Sequence, residues 1–159
     1  MLALLYAGGL RRAELVALDL ADVEVSSIRV LGKGNRERRV PLARGAADAL
    51  DAWLAVRGSE PGPLLYAARK GGKLEARRVS VEAVYDRLEH LAALGGVERF
   101  SPHDLRRSYV SDLLYKGADL ATVAKLAGHR QLQTTARYDR RDDDAKREAA
   151  ALLHFPSPR

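Results

Sequence analysis

Apolar positions along the chain recur mostly at helical spacing. Met1 to Tyr6 is apolar and reads as a helix, ended by Gly8-Gly9, and Arg11 to Leu18 resumes with Leu15 and Leu18 on one face. The pattern then switches. Ser27 to Leu31 is short and β-branched, Gly32-Lys33-Gly34-Asn35 is a turn, and Arg36 to Leu42 places Val40 and Leu42 on one face. Strand, Gly/Asn turn and strand together predict a β-hairpin, with Pro41 at its end or edge. Helical spacing returns in Arg44 to Val56 through Ala47, Leu50 and Leu54. A loop comes next over Gly58 to Gly62, then a short strand at Leu64 to Tyr66 and a basic turn over Arg69 to Lys73.

The second half is punctuated by helix caps. Ser80 opens a helix to about Ala93. Ser101-Pro102-His103-Asp104 joins an N-cap serine, a proline at the first helical position and an acid at the third, so the next helix runs from there to Lys116 and stops at Gly117. Asp119 caps Leu120 to Ala127, and Gly128 ends it. Thr134 to Tyr138 predicts a further short helix, and Asp142 to Leu153 another. The expected fold is mainly α with one small antiparallel β-sheet near the first third, an α+β arrangement.

Composition sharpens this. At 159 residues the chain is one domain by size, with 47% hydrophobic and 30% charged residues. Its longest apolar run, Met1 to Leu10, is well short of the roughly 20 residues a membrane span needs. The positive charges Arg11 and Arg12 come after that run instead of preceding it, so a secretory signal is not expected. Without cysteine there is neither a disulfide framework nor a thiolate metal site, which fits a cytoplasmic location. The net charge of +6 suits a polyanionic partner such as nucleic acid, while a solvated basic surface is the commoner source of so modest a surplus.

Several chemistries drop out. Gly32-Lys33-Gly34 lacks the spacing and trailing hydroxyl of a phosphate-cradling P-loop, and His90, His103, His129 and His154 do not form an HExxH zinc pair. Asp142-Asp143-Asp144 needs only a helix N-terminus to explain it. What remains is a set of cations and one tyrosine. His103 and Arg106 lie one turn apart near a helix N-terminus, where both can face one anion. Arg11 enters a helix with Glu14 one turn on to orient it, Lys33 sits at the hairpin tip, and His129 succeeds a helix-ending glycine. Taken singly, each is accounted for as a solvated surface residue.

Their order and spacing change the weighing. Gly9-Leu10-Arg11-x-x-Glu14-Leu15, Gly32-Lys33-Gly34-Asn35-Arg36-Glu37-Arg38, His103-x-x-Arg106, Leu126-Ala127-Gly128-His129 and Tyr138 together resemble the tyrosine recombinase (phage integrase) family, most of all its Xer-type and bacterial members. The resemblance runs from about Leu4 to Tyr138. It implies the tyrosine recombinase catalytic-domain (DNA breaking–rejoining) fold and site-specific DNA recombination or integration through a covalent 3′-phosphotyrosine. It further implies Arg11 and Arg106 as the catalytic arginines, Lys33 as the hairpin lysine, His103 and His129 as the two histidines, Tyr138 as nucleophile and Glu14 as support for Arg11. No metal or other cofactor is implied, since guanidinium charge serves at the phosphate.

The resemblance also implies double-stranded DNA as partner. Arg36, Arg38, Arg39, Lys73, Arg77, Arg78, Arg107 and Arg130 are expected to meet backbone phosphates. Family members carry an N-terminal helical DNA-clamping domain, so residues 1–159 are expected to be the C-terminal catalytic domain without that core-binding domain. Residues 142–153 resemble the tail helix that members dock onto a neighbouring protomer, implying a tetramer on DNA, with or without a partner recombinase. Two other readings stand beside this one. Helix, Gly turn and helix over Ser101 to Gly128 also suit a non-catalytic or decayed helix-turn-helix DNA-binding fragment. A type IB topoisomerase would share the pocket chemistry.

Overall fold

The computed structural model describes residues 1–32, 34–69, 71–139, 147 and 150–153. Two short helices, α1 (Leu2–Tyr6) and α2 (Arg12–Ala17), lead through a 3-10 turn at Leu20–Asp22 into strands β1 (Val23–Glu24), β2 (Ser27–Gly32) and β3 (Arg36–Pro41). Helix α3 (Arg44–Arg57) precedes a second strand pair, β4 (Tyr66–Ala68) and β5 (Leu74–Arg78). Helices α4 (Val81–Leu94), α5 (Pro102–Tyr115), α6 (Leu120–Ala127) and α7 (Leu132–Ala136) complete the order.

The caps act as their residues predict. Ser101 Oγ accepts from the Asp104 N–H at 3.2 Å while Asp104 Oδ2 accepts from the Ser101 N–H at 2.9 Å, closing a capping box at the start of α5. Asp119 accepts from the Thr122 N–H at 2.9 Å to open α6, and Gly128 closes it with φ +63°. Hairpin register pairs Ile28 with Val40 and Val30 with Arg38 in the antiparallel order β1-β2-β3. The period-two alternation of strands then turns Ile28, Val30 and Val40 onto one fully buried face.

The expectation of one sheet needs correction: the described residues form two. β4 lies two residues later than the expected Leu64–Tyr66, because Leu64 and Leu65 are drawn into the core and Trp53 Nε1 donates to the Leu64 carbonyl at 2.8 Å. Its partner β5 reads Leu-Glu-Ala-Arg-Arg, with weak β propensity and no clean alternation, and pairs only because the Gly71-Gly72 turn folds it back. β1 is likewise too short to show in the sequence and is held by its pairing with β2.

Two apolar clusters organise the molecule. Leu4, Leu5, Leu10, Leu15, Ile28, Val30, Val40, Leu50, Leu64, Val84 and Leu88 join α1 and α2 to the first sheet, α3 and α4. Tyr109, Val110, Leu114, Val123 and Ala127 join α5 to α6, with Tyr138 packed at the margin. Each fully buried aliphatic side chain contributes roughly 1.5–3 kcal/mol against leaving it exposed. Buried Glu14 and Arg106 lie at the seam between the clusters. Among the described residues, no helix is long and apolar enough to cross a membrane.

Candidate active site

The seam is built from α2, β3, α5 and the end of α6. Arg11 stands at the N-cap of α2, where its backbone N–H donates to Glu14 Oε2 (2.9 Å) and its Nη1 donates to Glu14 Oε1 (2.7 Å). Glu14 is buried, and Arg38 from β3 grips the same carboxylate with both terminal nitrogens, at 2.9 Å and 2.8 Å. Paired, planar geometry of this kind is the strong form of a carboxylate contact.

The C-terminus of α6 presents carbonyls with no partner inside the helix, at the negative end of its dipole. Three successive ones are each taken by an arginine from a different element. Arg38 Nε donates to Leu126 O (3.1 Å), Arg106 Nη2 to Ala127 O, and Arg11 Nη2 to Gly128 O (3.0 Å). Arg106 is buried in α5, and its Nη1 donates to the Gly9 carbonyl across the seam. Gly9 has to be glycine: its φ is +58°, and a Cβ there would lie 2.2 Å from the Tyr109 ring.

This bracing fixes the path of the chain as it leaves α6. His129 Nδ1 lies 2.8 Å from the hydroxyl of fully buried Thr135. Its ring stacks on Tyr138, with centroids 6.4 Å apart and planes 24° from parallel. Tyr138 comes just after α7. Its N–H donates to the Thr135 carbonyl at 2.9 Å, and its own carbonyl accepts from Ser111 Oγ at 3.4 Å.

The charges perturb one another. Burial opposes ionisation of Glu14, but hydrogen bonds from Arg38 and from Arg11 outweigh it and hold the carboxyl at about 2. Burial, reinforced by Arg11, lowers Arg106 to about 10, so it still carries its proton at neutral pH. Burial, and then Arg106, Arg11 and Arg38, depress His129 to about 4, so its imidazole is neutral at pH 7. The seam thus holds several guanidiniums and a neutral imidazole beside a phenol.

The structure brings together Arg11, Glu14, Arg106, His129 and Tyr138. His103 is exposed on the first turn of α5, one turn before Arg106. Lys33, which follows Gly32 in the sequence, lies outside the described residues, and the same holds for most of 142–153. Of the basic residues expected to meet DNA, Arg36, Arg39, Lys73, Arg77, Arg78, Arg107 and Arg130 are exposed. Arg39 pairs with Glu24 at 3.2 Å and Arg77 with Glu75 at 2.7 Å, contacts that exposed side chains readily exchange.

Two of that set also make contacts within the protein. Arg38 points inward, because it shares strand parity with buried Val40 and meets the Glu14 charge there. Arg78 ties β5 to the end of α2 through the Val16 and Leu18 carbonyls at 2.7 Å and 3.0 Å and through Asp19. Parity with Val40 was the signal in the sequence that could have placed Arg38. Thr135 carried no signal of its own.

A profile of the Phage integrase family matches residues 1–145. The chain belongs to the phage integrase family. Tyrosine recombinase XerC of Chromohalobacter salexigens is 43% identical over 146 residues, covering 89% of this integrase-family chain and 47% of the relative. Tyrosine recombinase XerC of Corynebacterium efficiens is 39% identical over 158 residues, covering 97% and 49%. Among solved structures, XerA recombinase superposes with a TM-score of 0.77 at 26% identity, over 96% of this chain and 57% of that one. XerH recombinase bound to its difH substrate gives a TM-score of 0.73 at 25% identity, over 98% and 46%. The fold is that of tyrosine recombinase catalytic domains. The chain spans about half the length of the curated relatives it matches.

Proposed function

We propose that this integrase-family chain carries the strand-cleaving and rejoining centre of a site-specific DNA recombinase. One observation carries the reading: Arg11 and Arg106, more than ninety residues apart in sequence, converge with His129 and Tyr138 around the braced end of α6. A phosphodiester seated there places its non-bridging oxygens against two guanidiniums, whose positive charge and remaining N–H groups stabilise the charge that builds as the phosphorus is attacked.

Tyr138 Oη attacks phosphorus and forms a phosphotyrosine, and the bond to the 5′-oxygen breaks. The attacking phenol has to lose its proton as the bond to phosphorus forms. In this reading neutral His129, whose ring stacks on that of Tyr138 and whose Nδ1 meets the Thr135 hydroxyl, receives that proton. His103, on the opening turn of α5, adds a donor for the phosphate. The departing 5′-oxygen is strongly basic and takes a proton from Lys33. Attack by the 5′-hydroxyl of another strand reverses each step and restores Tyr138, with no external energy source because the phosphotyrosine keeps the bond energy.

Double-stranded DNA is the substrate in this reading, with Arg36, Arg39, Lys73, Arg77, Arg107 and Arg130 at its backbone and the cytoplasm as the place of action. Exchange of the helix expected over residues 142–153 between protomers would build the tetramer, alone or with a partner recombinase.

The test uses nicked duplexes of randomised sequence whose cleaved end diffuses away, so that religation fails. The purified chain is expected to yield a detergent-stable DNA–protein adduct, and Tyr138→Phe none. Folded protein that forms no adduct, or an adduct that survives in Tyr138→Phe, would overturn the proposal for this chain.

A further inference from the structure

The proposed phosphate site contains more charge than the two arginines assigned to it, and the surplus has a pattern. Arg38 is the third guanidinium at the seam. Its side chain is 13% exposed, against 77% for its neighbour Arg39 on the opposite face of the strand. It spends both terminal nitrogens on Glu14 and its Nε on the Leu126 carbonyl. A Cβ on Gly128 would come within 3.0 Å of the same guanidinium, so the end of α6 closes directly over it.

We infer that Arg38 is a positioning residue that serves as the counter-ion of Glu14, leaving the charges of Arg11 and Arg106 to the phosphate. The inference rests on the phosphodiester reading of the site. Arg11, Arg38 and Arg106 bring three positive charges to the seam and Glu14 one negative charge, a net of two. Arg38 neutralises the carboxylate, while Glu14 still accepts from Arg11 and holds its guanidinium in place. Without Arg38, a buried carboxylate is left with Arg11 as its hydrogen-bonded cation. A buried charge deprived of its partner is costly, so Glu14 would draw Arg11 inward and compete with the phosphate for it. Arg11 can move that way: its side chain is 41% exposed, whereas Glu14's is 5%.

Charge balance makes a prediction that a mere structural tie does not. Arg38→Met removes the counter-ion, and adding Glu14→Gln removes the charge that needed it, while the Gln oxygen can still accept from Arg11. The bond to Leu126 stays lost in both. Affinity for inorganic phosphate is measured on the full chain through arginine side-chain NMR, and adduct formation on saturating nicked duplex in parallel. Arg38→Met is expected to weaken phosphate binding about 10-fold and to slow adduct formation by about 100-fold. The double variant is expected to bind phosphate within about 3-fold of the parent and to recover part of the rate.

A folded double variant no better than Arg38→Met overturns the inference and leaves Arg38 as a tie to α6. Arg38→Met that keeps its phosphate affinity but loses DNA affinity also overturns it, making Arg38 a DNA contact. Should Arg38→Met fail to fold while the double variant folds, the unbalanced Glu14 charge is the cause and the inference is supported; failure of both to fold overturns it. A parent chain that binds phosphate with this variant pattern but forms no adduct refutes the recombinase reading alone.

Discussion

Gly9 shows how tightly single residues are constrained at the seam. Its positive φ, its contact with the Tyr109 ring and its carbonyl's bond to Arg106 all depend on the missing side chain. Gly9→Ala should lower unfolding stability by about 3 kcal/mol, combining left-handed strain with overpacking, as read by denaturant titration. Glu14 sets a pH dependence. Its folded pKa of about 2 is depressed from 4.5, so its contribution is complete above about pH 4.5 and is lost as pH falls toward 2. Acid unfolding of the parent should steepen across that window, and Glu14→Gln should remove this component. Arg11, Glu14, Arg106, His129 and Tyr138, which the resemblance to the integrase family singled out in the sequence, are the residues the fold brings to one seam. The inward turn of Arg38 was not legible: hairpin arginines are usually solvated, and the carboxylate that draws this one inward lies on another element.

At the scale of elements, the end of α6 is the piece on which the site hangs. Its last carbonyls bind arginines from β3, α5 and the start of α2, so His129 leaves the helix in a fixed direction. The NMR titration of the His129 ring should therefore show a midpoint of about 4 in the free protein, well below the usual 6.5. A base depressed in this way favours the neutral fold, so its stabilisation is full above pH 6.5 and declines as pH falls toward 4. Arg38→Met should move the midpoint upward by removing one of the cations that depress it. Helices were the most legible elements, since serine, aspartate and glycine at their ends act through hydrogen bonds within one turn. β5 was not legible, because its pairing depends on β4 and not on its own residues.

Across the whole molecule the excess positive charge should govern DNA binding. Affinity should fall steeply with salt, and Arg36→Ala, Arg107→Ala and Arg130→Ala should each reduce the slope of log affinity against log salt by about 1. Arg78→Ala should lower the melting temperature and leave that slope unchanged, because its guanidinium holds β5 to the end of α2. The sequence by itself determined the helical architecture, the hairpin, the family and the order of the chemical groups. Those features are written in local spacing, where a side chain, its cap and its periodic neighbours lie within a turn or a strand pair of one another. Only the tertiary structure decided the pairings between distant elements. Arg38 reaches Glu14 across 24 positions and Arg11 reaches Gly128 across 117, and burial at the seam turns those meetings into depressed pKa values and a braced helix end. Charge pairing and desolvation act through space, so partners on separate elements leave little record in chain spacing.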